Sequence, residues 1–182
     1  NADKVYSSSQ CSADWCLNYY HKRMDAIPVI HTGIDTVLFS PKPIALHADP
    51  TILFVGRIAE TKGVENLVEA ACELSGEIPN LKLRMIGNGE SRLIDKLKDK
   101  AGSFSRSNIL EFAGFVEKEK LPVEFSKANL FAAPSYYEGG PGFVYLEAMA
   151  CGLPVVGCSG SGVEEIIESG KNGLLVSPKD TD

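Results

Sequence analysis

Two glutamates, Glu138 and Glu147, bracket a run of small and rigid residues in the last third of the chain. This run, residues 139–142, is Gly-Gly-Pro-Gly, which suits a place where the backbone comes close to another group. A helix is predicted to begin near Phe143, and its free N–H groups and positive dipole end would bind phosphate. The carboxylates repel phosphate and are better suited to accept hydrogen bonds from sugar or ribose hydroxyls. A diphosphate flanked by hydroxyls at both ends describes a nucleotide-sugar.

A second group of polar residues follows the first predicted strand of the main alternating pattern. The strand ends at Gly56, and a helix is predicted to begin about Thr61, a plausible N-cap. Lys62 in a first helical turn opposes the helix dipole, and Arg57 lies on the same rim of the sheet. A lysine at a helix start is unfavourable by itself, so its place beside a second cation predicts that an anion binds between the two. A solvated surface pair is the alternative.

Gly87-Asn88-Gly89 forms a glycine turn that allows two interpretations. Glu111 lies 22 residues after Gly89, so the segment has most of a dinucleotide-binding fingerprint, but Arg92 occupies the third glycine position. One interpretation is the phosphate turn of a nicotinamide-dependent oxidoreductase. The other is a turn that lines a nucleotide pocket.

Apolar runs alternate with helical patterns along the chain, which indicates a parallel α/β sheet. Strands are predicted at residues 51–55, 81–86, 109–113, 130–133, 154–157 and 173–176. Helices are predicted at residues 64–74, 92–100, 120–126, 143–150 and 163–169. The resulting fold is α/β, a Rossmann-like doubly wound parallel sheet with ligands expected at the carboxyl ends of its strands. The opening segment is predicted to contain strands at 4–9 and 27–30 and a helix at 12–20.

Composition excludes several classes of protein. With 182 residues, 44% of them apolar, the chain fits one domain with a sizeable core. The net charge of −6 argues against a nonspecific nucleic-acid binder. Five scattered cysteines without a CxxC pair predict a reduced, cytoplasmic compartment and no metal site. No apolar run reaches the roughly 20 residues of a membrane helix, and the chain reads as part of something longer.

The string from Glu138 to Val156 resembles the Glu-x7-Glu signature of the retaining GT-B glycosyltransferases called family 4, and the helix that carries it. Glu147 lies nine positions after Glu138, whereas the family pattern has eight, and one extra residue within 139–142 would absorb the difference. The resemblance implies that Arg57 and Lys62 bind the donor diphosphate, that Glu147 binds the ribose, and that Glu138 meets the sugar. It implies catalytic roles for Glu138, Arg57 and Lys62. The other donor-site residues that it implies are Gly56, Gly87, Gly89, Phe115, Val116, Gly139, Gly140, Phe143 and Val144.

Phe115 and Val116 lie where that family reads the nucleobase, and ordinary core packing is the alternative for Phe115. The resemblance also implies a division of the chain. Residues 1–40 resemble a remnant of an N-terminal acceptor domain with the interdomain crossover, 41–50 a linker with three prolines, and 51–182 a donor-binding domain truncated at its C-terminus.

The implied function is transfer of a hexosyl unit from a nucleoside diphosphate to an acceptor hydroxyl with retention, this chain being the donor-binding half. No metal or other cofactor is expected. The expected partners are a nucleotide-sugar, a sugar, glycan or lipid-linked acceptor, and the missing N-terminal domain, through which the protein would reach the cytoplasmic face of a membrane. Two alternatives stay open, the nicotinamide-dependent oxidoreductase and a noncatalytic nucleotide-sugar-binding module.

Overall fold

A computed structural model describes residues 4–19 and 26–181 of the chain. Its centre is a parallel sheet of six strands in the order β3-β2-β1-β4-β5-β6. The strands are β1 Thr51–Val55, β2 Lys82–Ile86, β3 Leu110–Gly114, β4 Leu130–Ala132, β5 Val155–Cys158 and β6 Leu174–Val176. Each begins and ends within one residue of its predicted bounds. The predicted doubly wound parallel sheet is therefore confirmed.

Five α-helices accompany the sheet in the described parts of the chain. They are α1 Gln10–Tyr19, α2 Val64–Leu74, α3 Ser91–Ser103, α4 Leu121–Lys127 and α5 Phe143–Ala150. The stripe predicted for α2 faces the core, since Val64, Leu67, Val68 and Ala71 are all buried. Burial on both sheet faces explains the nearly continuous apolar character of β1, whereas in β2 the half-buried Lys82 and Arg84 alternate with buried apolar residues.

The strand order reverses between β1 and β4, so the chain winds outward in both directions from this pair. In a parallel sheet, the loops that follow the strands meet at one rim, and ligands bind at the point of reversal. That rim carries, in spatial order, the segments after β3, β2, β1, β4 and β5. Most of the predicted site residues lie in these segments.

A row of aromatic rings fixes α5 above the sheet. Phe39, Phe125, Phe131 and Tyr145 pack edge to face in that order, with ring centroids 6.3, 6.0 and 5.1 Å apart. The Tyr145 hydroxyl donates a hydrogen bond to the carbonyl of Ala133, and burial raises the pKa of Tyr145. The start of α5 is thereby fixed relative to the end of β4.

The predicted helix at 163–169 is wrong. Only a short 3₁₀ turn, Gly162–Glu165, forms there. The Asn172 side chain accepts a hydrogen bond from the Glu168 N–H (2.7 Å) and donates one to the Ile166 carbonyl (2.9 Å). These backbone groups would have been used within a helix, so the side chain stabilises an open turn in its place.

Three smaller expectations also change. Thr61 lies in the middle of a 3₁₀ turn, Glu60–Lys62, and α2 begins only after Gly63, whose φ of 65° is left-handed, so Thr61 is not its N-cap. The strands predicted at 4–9 and 27–30 reduce to one parallel bridge, Ser7 to Val29. The helix predicted at 12–20 begins earlier, at Gln10, and residue 20 lies outside the described residues.

Candidate functional site

A cleft of about 550 Å³ opens at the rim beside β1, β2 and β3. Six predicted site residues line it: Gly56, Arg57, Gly87, Gly89, Phe115 and Val116. Val55, Ile86 and Leu121 form its apolar floor, while Asn88 and Glu90 add polar groups. The cleft combines an apolar floor with a few polar groups, as small-molecule sites do.

The two glycine turns at this cleft are paired with each other through the backbone. Gly56 N–H donates to the Ile86 carbonyl and Ile58 N–H to the Asn88 carbonyl, both at 2.9 Å. A Cβ on Gly87 would lie 1.9 Å from the Gly56 carbonyl oxygen, and the φ of Gly87 is +136°. The close approach that requires glycine at position 87 is therefore contact with the neighbouring turn.

Phe115 is 72% exposed although it is a large aromatic residue. It follows Gly114 at the end of β3, and its ring lies at the cleft instead of in the core. The core-packing alternative for Phe115 is therefore wrong. Val116, the next residue, is half-buried and packs against the core.

Lys62 and Glu138 form an ion pair, with side-chain exposures of 31% and 20%. The turn that follows β1 and the loop that follows β4 bring them together. Tyr136 N–H donates to the Thr61 carbonyl at 3.0 Å, and a Cβ on Gly63 would lie 2.1 Å from the Pro134 carbonyl oxygen. Arg57, by contrast, forms no ion pair within the described residues.

The start of α5 supplies unpaired backbone donors. Gly142 is its N-cap with φ of 68°, and a Cβ there would lie 2.6 Å from the Tyr145 ring. The N–H groups of Phe143 and Val144 donate to no atom in the part of the chain that the structure describes. Phe143 is 48% exposed, so this end of the helix is open to solvent. Such a helix end can bind an anion.

Glu147 lies one turn further along α5 and is half-buried. Burial raises its pKa, and the positive charge of Lys118 opposes that rise. Within the described residues the Glu147 carboxylate accepts no hydrogen bond. It is therefore an acceptor that no donor in residues 4–19 and 26–181 uses.

Sequence reasoning missed four polar residues of this rim. Asn88 lies within the glycine turn, Glu90 directly follows it, and Lys118 lies close enough to act on the Glu147 carboxylate by its charge. The Ser135 hydroxyl, at the end of β4, is buried and has no hydrogen-bond partner within residues 4–19 and 26–181. A buried hydroxyl without a partner is unusual, and the pattern around Ser135 gave no signal of it.

Glu111 is the acidic residue that the nicotinamide-dependent alternative requires for a ribose. In the structure it forms an ion pair with Arg84 of β2, and its side chain is 53% exposed. Arg84 also donates to Glu124 of α4 at 2.8 Å. Glu111 thus belongs to a surface charge network that links β2, β3 and α4.

Residues 4–19 and 26–181 offer neither a cluster of metal ligands nor a membrane-spanning helix. They contain no group of three or more His, Cys, Asp or Glu side chains that could hold a metal ion. None of their helices is long and apolar enough to cross a membrane. All five cysteines are free thiols, and burial raises the pKa of Cys72, Cys151 and Cys158.

Residues 39–182 match the family described as "Glycosyl transferases group 1". An uncharacterised glycosyltransferase of Methanocaldococcus jannaschii is 40% identical over 191 residues, covering 98% of this chain and 48% of its own length. A GDP-mannose-dependent alpha-(1-6)-phosphatidylinositol monomannoside mannosyltransferase of Mycolicibacterium smegmatis is 31% identical and covers 86% of this chain and 44% of its own length. The chain thus spans about half the length of these curated relatives.

Among solved structures, the Anabaena protein HepE in complex with UDP-glucose superposes with a TM-score of 0.86 at 25% identity. The match covers 99% of this chain and 51% of that chain. The likeness confirms the expected fold, a Rossmann-like half of a GT-B glycosyltransferase.

Proposed function

Because the chain belongs to the glycosyl transferases group 1 family, we propose that it is the donor-binding half of a retaining, family 4 enzyme that transfers a hexosyl unit from a nucleoside diphosphate to an acceptor hydroxyl. The observation that carries the proposal is the order of chemical groups along one rim of the sheet. An exposed aromatic ring follows β3, glycine turns follow β2 and β1, the cations Arg57 and Lys62 follow β1, and the carboxylate of Glu138 follows β4. A nucleotide-sugar presents base, diphosphate and sugar in that same order.

The diphosphate is assigned to Arg57, Lys62 and the start of α5. Two cations and the unpaired N–H groups of Phe143 and Val144 would neutralise it without a metal ion. The same charges would stabilise the nucleoside diphosphate as a leaving group while the glycosidic bond breaks. This accounts for the catalytic roles given to Arg57 and Lys62.

The base is assigned to the cleft beside Phe115 and Val116, where an apolar floor supports a planar ring and backbone groups read its edge. The adjacent ribose is assigned to Glu147, because a carboxylate that accepts no hydrogen bond from the protein can accept two from ribose hydroxyls. Gly56, Gly87 and Gly89 are assigned to the turns that line the cleft between base and diphosphate, where Gly87 and Gly89 pack closely against the turn after β1.

The sugar is assigned to Glu138 and to the backbone of Gly139 and Gly140. Glu138 is paired with Lys62 before a donor binds. A diphosphate that forms an ion pair with Lys62 would free the Glu138 carboxylate to accept a hydrogen bond from a sugar hydroxyl. Binding of one end of the donor would thereby prepare the other.

The acceptor site and part of the catalytic centre are assigned to the half of the protein that the chain does not include. Residues 1–40 are proposed as the remnant of that half and its crossover, and 41–50 as the linker. The chain alone would then bind a donor without turning it over, and the acceptor would be a sugar, a glycan or a lipid-linked sugar on the cytoplasmic side.

A thermal-shift panel of UDP, GDP, ADP, NAD and NADP tests the proposal. At a hundredfold excess over Kd, a nucleoside diphosphate should stabilise the chain by roughly 2.7 kcal/mol, while NAD and NADP should not. Arg57→Ala should weaken diphosphate binding by about 1.5–3 kcal/mol, the range for hydrogen bonds to charged groups.

Arg92→Ala is the matched control, because it removes the same charge from α3 outside the cleft and should leave the affinity unchanged. Stabilisation by NAD and not by the three diphosphates would refute the glycosyltransferase assignment. An Arg57→Ala chain that retains full affinity would refute the phosphate assignment alone.

A further inference from the structure

The first turn of α1 is held by one distant side chain, Glu165, and by the residue that precedes the helix, Ser9. Glu165 accepts hydrogen bonds from the Gln10 and Cys11 N–H groups at 3.1 and 2.9 Å. Ser9 is the N-cap of α1, and its hydroxyl accepts the Ser12 N–H at 3.1 Å. The three backbone donors that open this helix are therefore all paired.

The hydroxyls of Ser9 and Ser12 both donate to the same acceptor, the carbonyl oxygen of Gly139. Ser9 is fully buried. A carbonyl oxygen has two lone pairs, so this acceptor is saturated by the two serines. Because Gly139 directly follows Glu138, the serines at the start of α1 hold the backbone next to the residue that carries the Glu138 side chain.

The opposite side of this loop, residues 138–142, is held by the turn after β5. Gly162 N–H donates to the Glu138 carbonyl at 2.7 Å. A Cβ on Gly162 would lie 2.2 Å from the Gly140 carbonyl oxygen, so the two backbones are in close contact. Three of the five loop residues are glycines, which without such contacts would populate many conformations.

We propose that Ser9 and Ser12 are positioning residues for the sugar end of the donor site, an inference that rests on the function proposed above. The ion pair with Lys62 cannot keep Glu138 in place once a diphosphate occupies Lys62. The two serine hydroxyls and Gly162 then remain as the contacts that hold the Glu138 peptide. The segment 9–12, assigned above to the remnant of the acceptor half, thus aligns a residue of the donor half.

Ser12→Ala isolates this effect, since among the described residues the Ser12 hydroxyl bonds only the Gly139 carbonyl, whereas Ser9 also caps α1. Ser12→Thr retains a hydroxyl and is the rescue variant. Ser8→Ala is the matched control, because the Ser8 hydroxyl makes no hydrogen bond within the described residues although it lies near Gly140.

The first measurement compares Kd for a bare nucleoside diphosphate and for its sugar conjugate. The pair is UDP with UDP-glucose, GDP with GDP-mannose or ADP with ADP-glucose, whichever the thermal panel selects. Ser12→Ala should lose about three- to tenfold in affinity for the conjugate, the effect of one hydrogen bond, and less than about twofold for the bare diphosphate. Ser12→Thr and Ser8→Ala should match the wild-type chain. An equal loss for both ligands, or no loss for either, overturns the proposal.

The second measurement is independent of any ligand. Backbone ¹⁵N order parameters of Gly139 and Gly140 should be near about 0.85 in the wild-type chain and fall toward about 0.6 in Ser12→Ala, with restoration in Ser12→Thr. Unchanged order parameters in Ser12→Ala overturn the proposal. A wild-type chain that binds no nucleotide refutes the proposed function instead, and the order parameters still decide whether the serines hold the loop.

Discussion

At the scale of single residues, burial and function oppose each other at Glu147. Its carboxylate is half-buried in α5, and burial raises its pKa more than Lys118 lowers it. The charged form is therefore less favourable in the folded chain than in the unfolded chain. If the Glu147 carboxylate accepts hydrogen bonds from ribose hydroxyls, that binding role lowers the stability of the folded chain, as is common at binding sites.

We predict that Glu147→Gln stabilises the chain at pH 7 and weakens nucleoside diphosphate binding. A raised folded-state pKa destabilises the folded chain above that pKa, and the effect vanishes below about pH 4.3, where both folded and unfolded states are protonated. The melting temperature of the variant should therefore exceed that of the wild type at pH 7, and the difference should shrink as the pH falls.

Glu77→Gln provides the control for this prediction, since Glu77 is exposed and its side chain has no partner in the described parts of the chain. It should change neither the melting temperature nor the affinity. Thermal unfolding across pH and calorimetric Kd values measure both effects. A lower melting temperature of Glu147→Gln at pH 7 would show that the carboxylate stabilises the fold.

Local sequence patterns predicted which residues belong to the site, but they did not predict the contacts between residues far apart in the chain. Glu138 and Lys62 were each selected from local patterns, but their ion pair joins positions 76 apart and was not predicted. The contact of Ser12 with Gly139 joins positions 127 apart. No periodicity or turn signal encodes such pairs, because they depend on how the loops after different strands meet.

At the scale of elements, Tyr145 connects α5 to the sheet. Its ring is fully buried and lies 5.1 Å from Phe131, and its hydroxyl donates to the Ala133 carbonyl at the end of β4. The helix that would bind the diphosphate is therefore positioned by a buried hydrogen bond and an aromatic contact on its core side.

We predict that Tyr145→Phe destabilises the chain by about 0.5–1.5 kcal/mol, the net contribution of one hydrogen bond. The Ala133 carbonyl keeps the Ser135 N–H as a donor at 2.7 Å, and the ring contact is retained. For a chain of this size, each kcal/mol corresponds to roughly 2–4 °C in melting temperature. Tyr137→Phe is the control, because Tyr137 is 51% exposed and its hydroxyl makes no hydrogen bond within residues 4–19 and 26–181. Equal melting temperatures for the two variants would contradict the prediction.

Strong local signals explain why most elements were predicted within a residue or two. Gly152 with φ of 79° and Pro154 end α5 as expected, and the apolar runs of the strands leave little choice of register. The helix predicted at 163–169 failed because a side chain outside that segment, Asn172, bonds its backbone. Phe39 is part of the hydrophobic core, although its segment was interpreted as an interdomain crossover. Only the tertiary fold shows this packing.

At the scale of the whole molecule, the net charge of the chain and the charge of the proposed ligand are both negative. The chain has 24 acidic and 18 basic residues and a net charge of −6, yet nucleotide-sugars are anions. Many lysines are neutralised locally, as in the pairs Lys96–Glu65 and Lys100–Glu69 between α2 and α3. Arg57 forms no ion pair among the described residues, so its positive charge stays available to an anion at the rim.

We therefore predict that nucleoside diphosphate binding does not require a divalent cation. Mg²⁺ binds the same phosphate oxygens that Arg57, Lys62 and the start of α5 would bind, so in solution it should compete with the protein. Removal of Mg²⁺ with EDTA should leave the Kd unchanged or lower it. Calorimetric titrations of the nucleotide selected by the thermal panel, with Mg²⁺ and with EDTA, measure this.

Arg57→Ala distinguishes the two sources of positive charge in the same titrations. If the protein supplies the charge, the variant should bind the nucleotide weakly with and without Mg²⁺. The described residues contain no cluster of carboxylates that could hold Mg²⁺ in place of the lost guanidinium. If the ion supplies it, EDTA should abolish binding to the wild type, and Arg57→Ala should bind almost normally once Mg²⁺ is present. That second result would mean that the rim binds a metal–nucleotide complex, and the roles proposed for Arg57 and Lys62 would have to be abandoned.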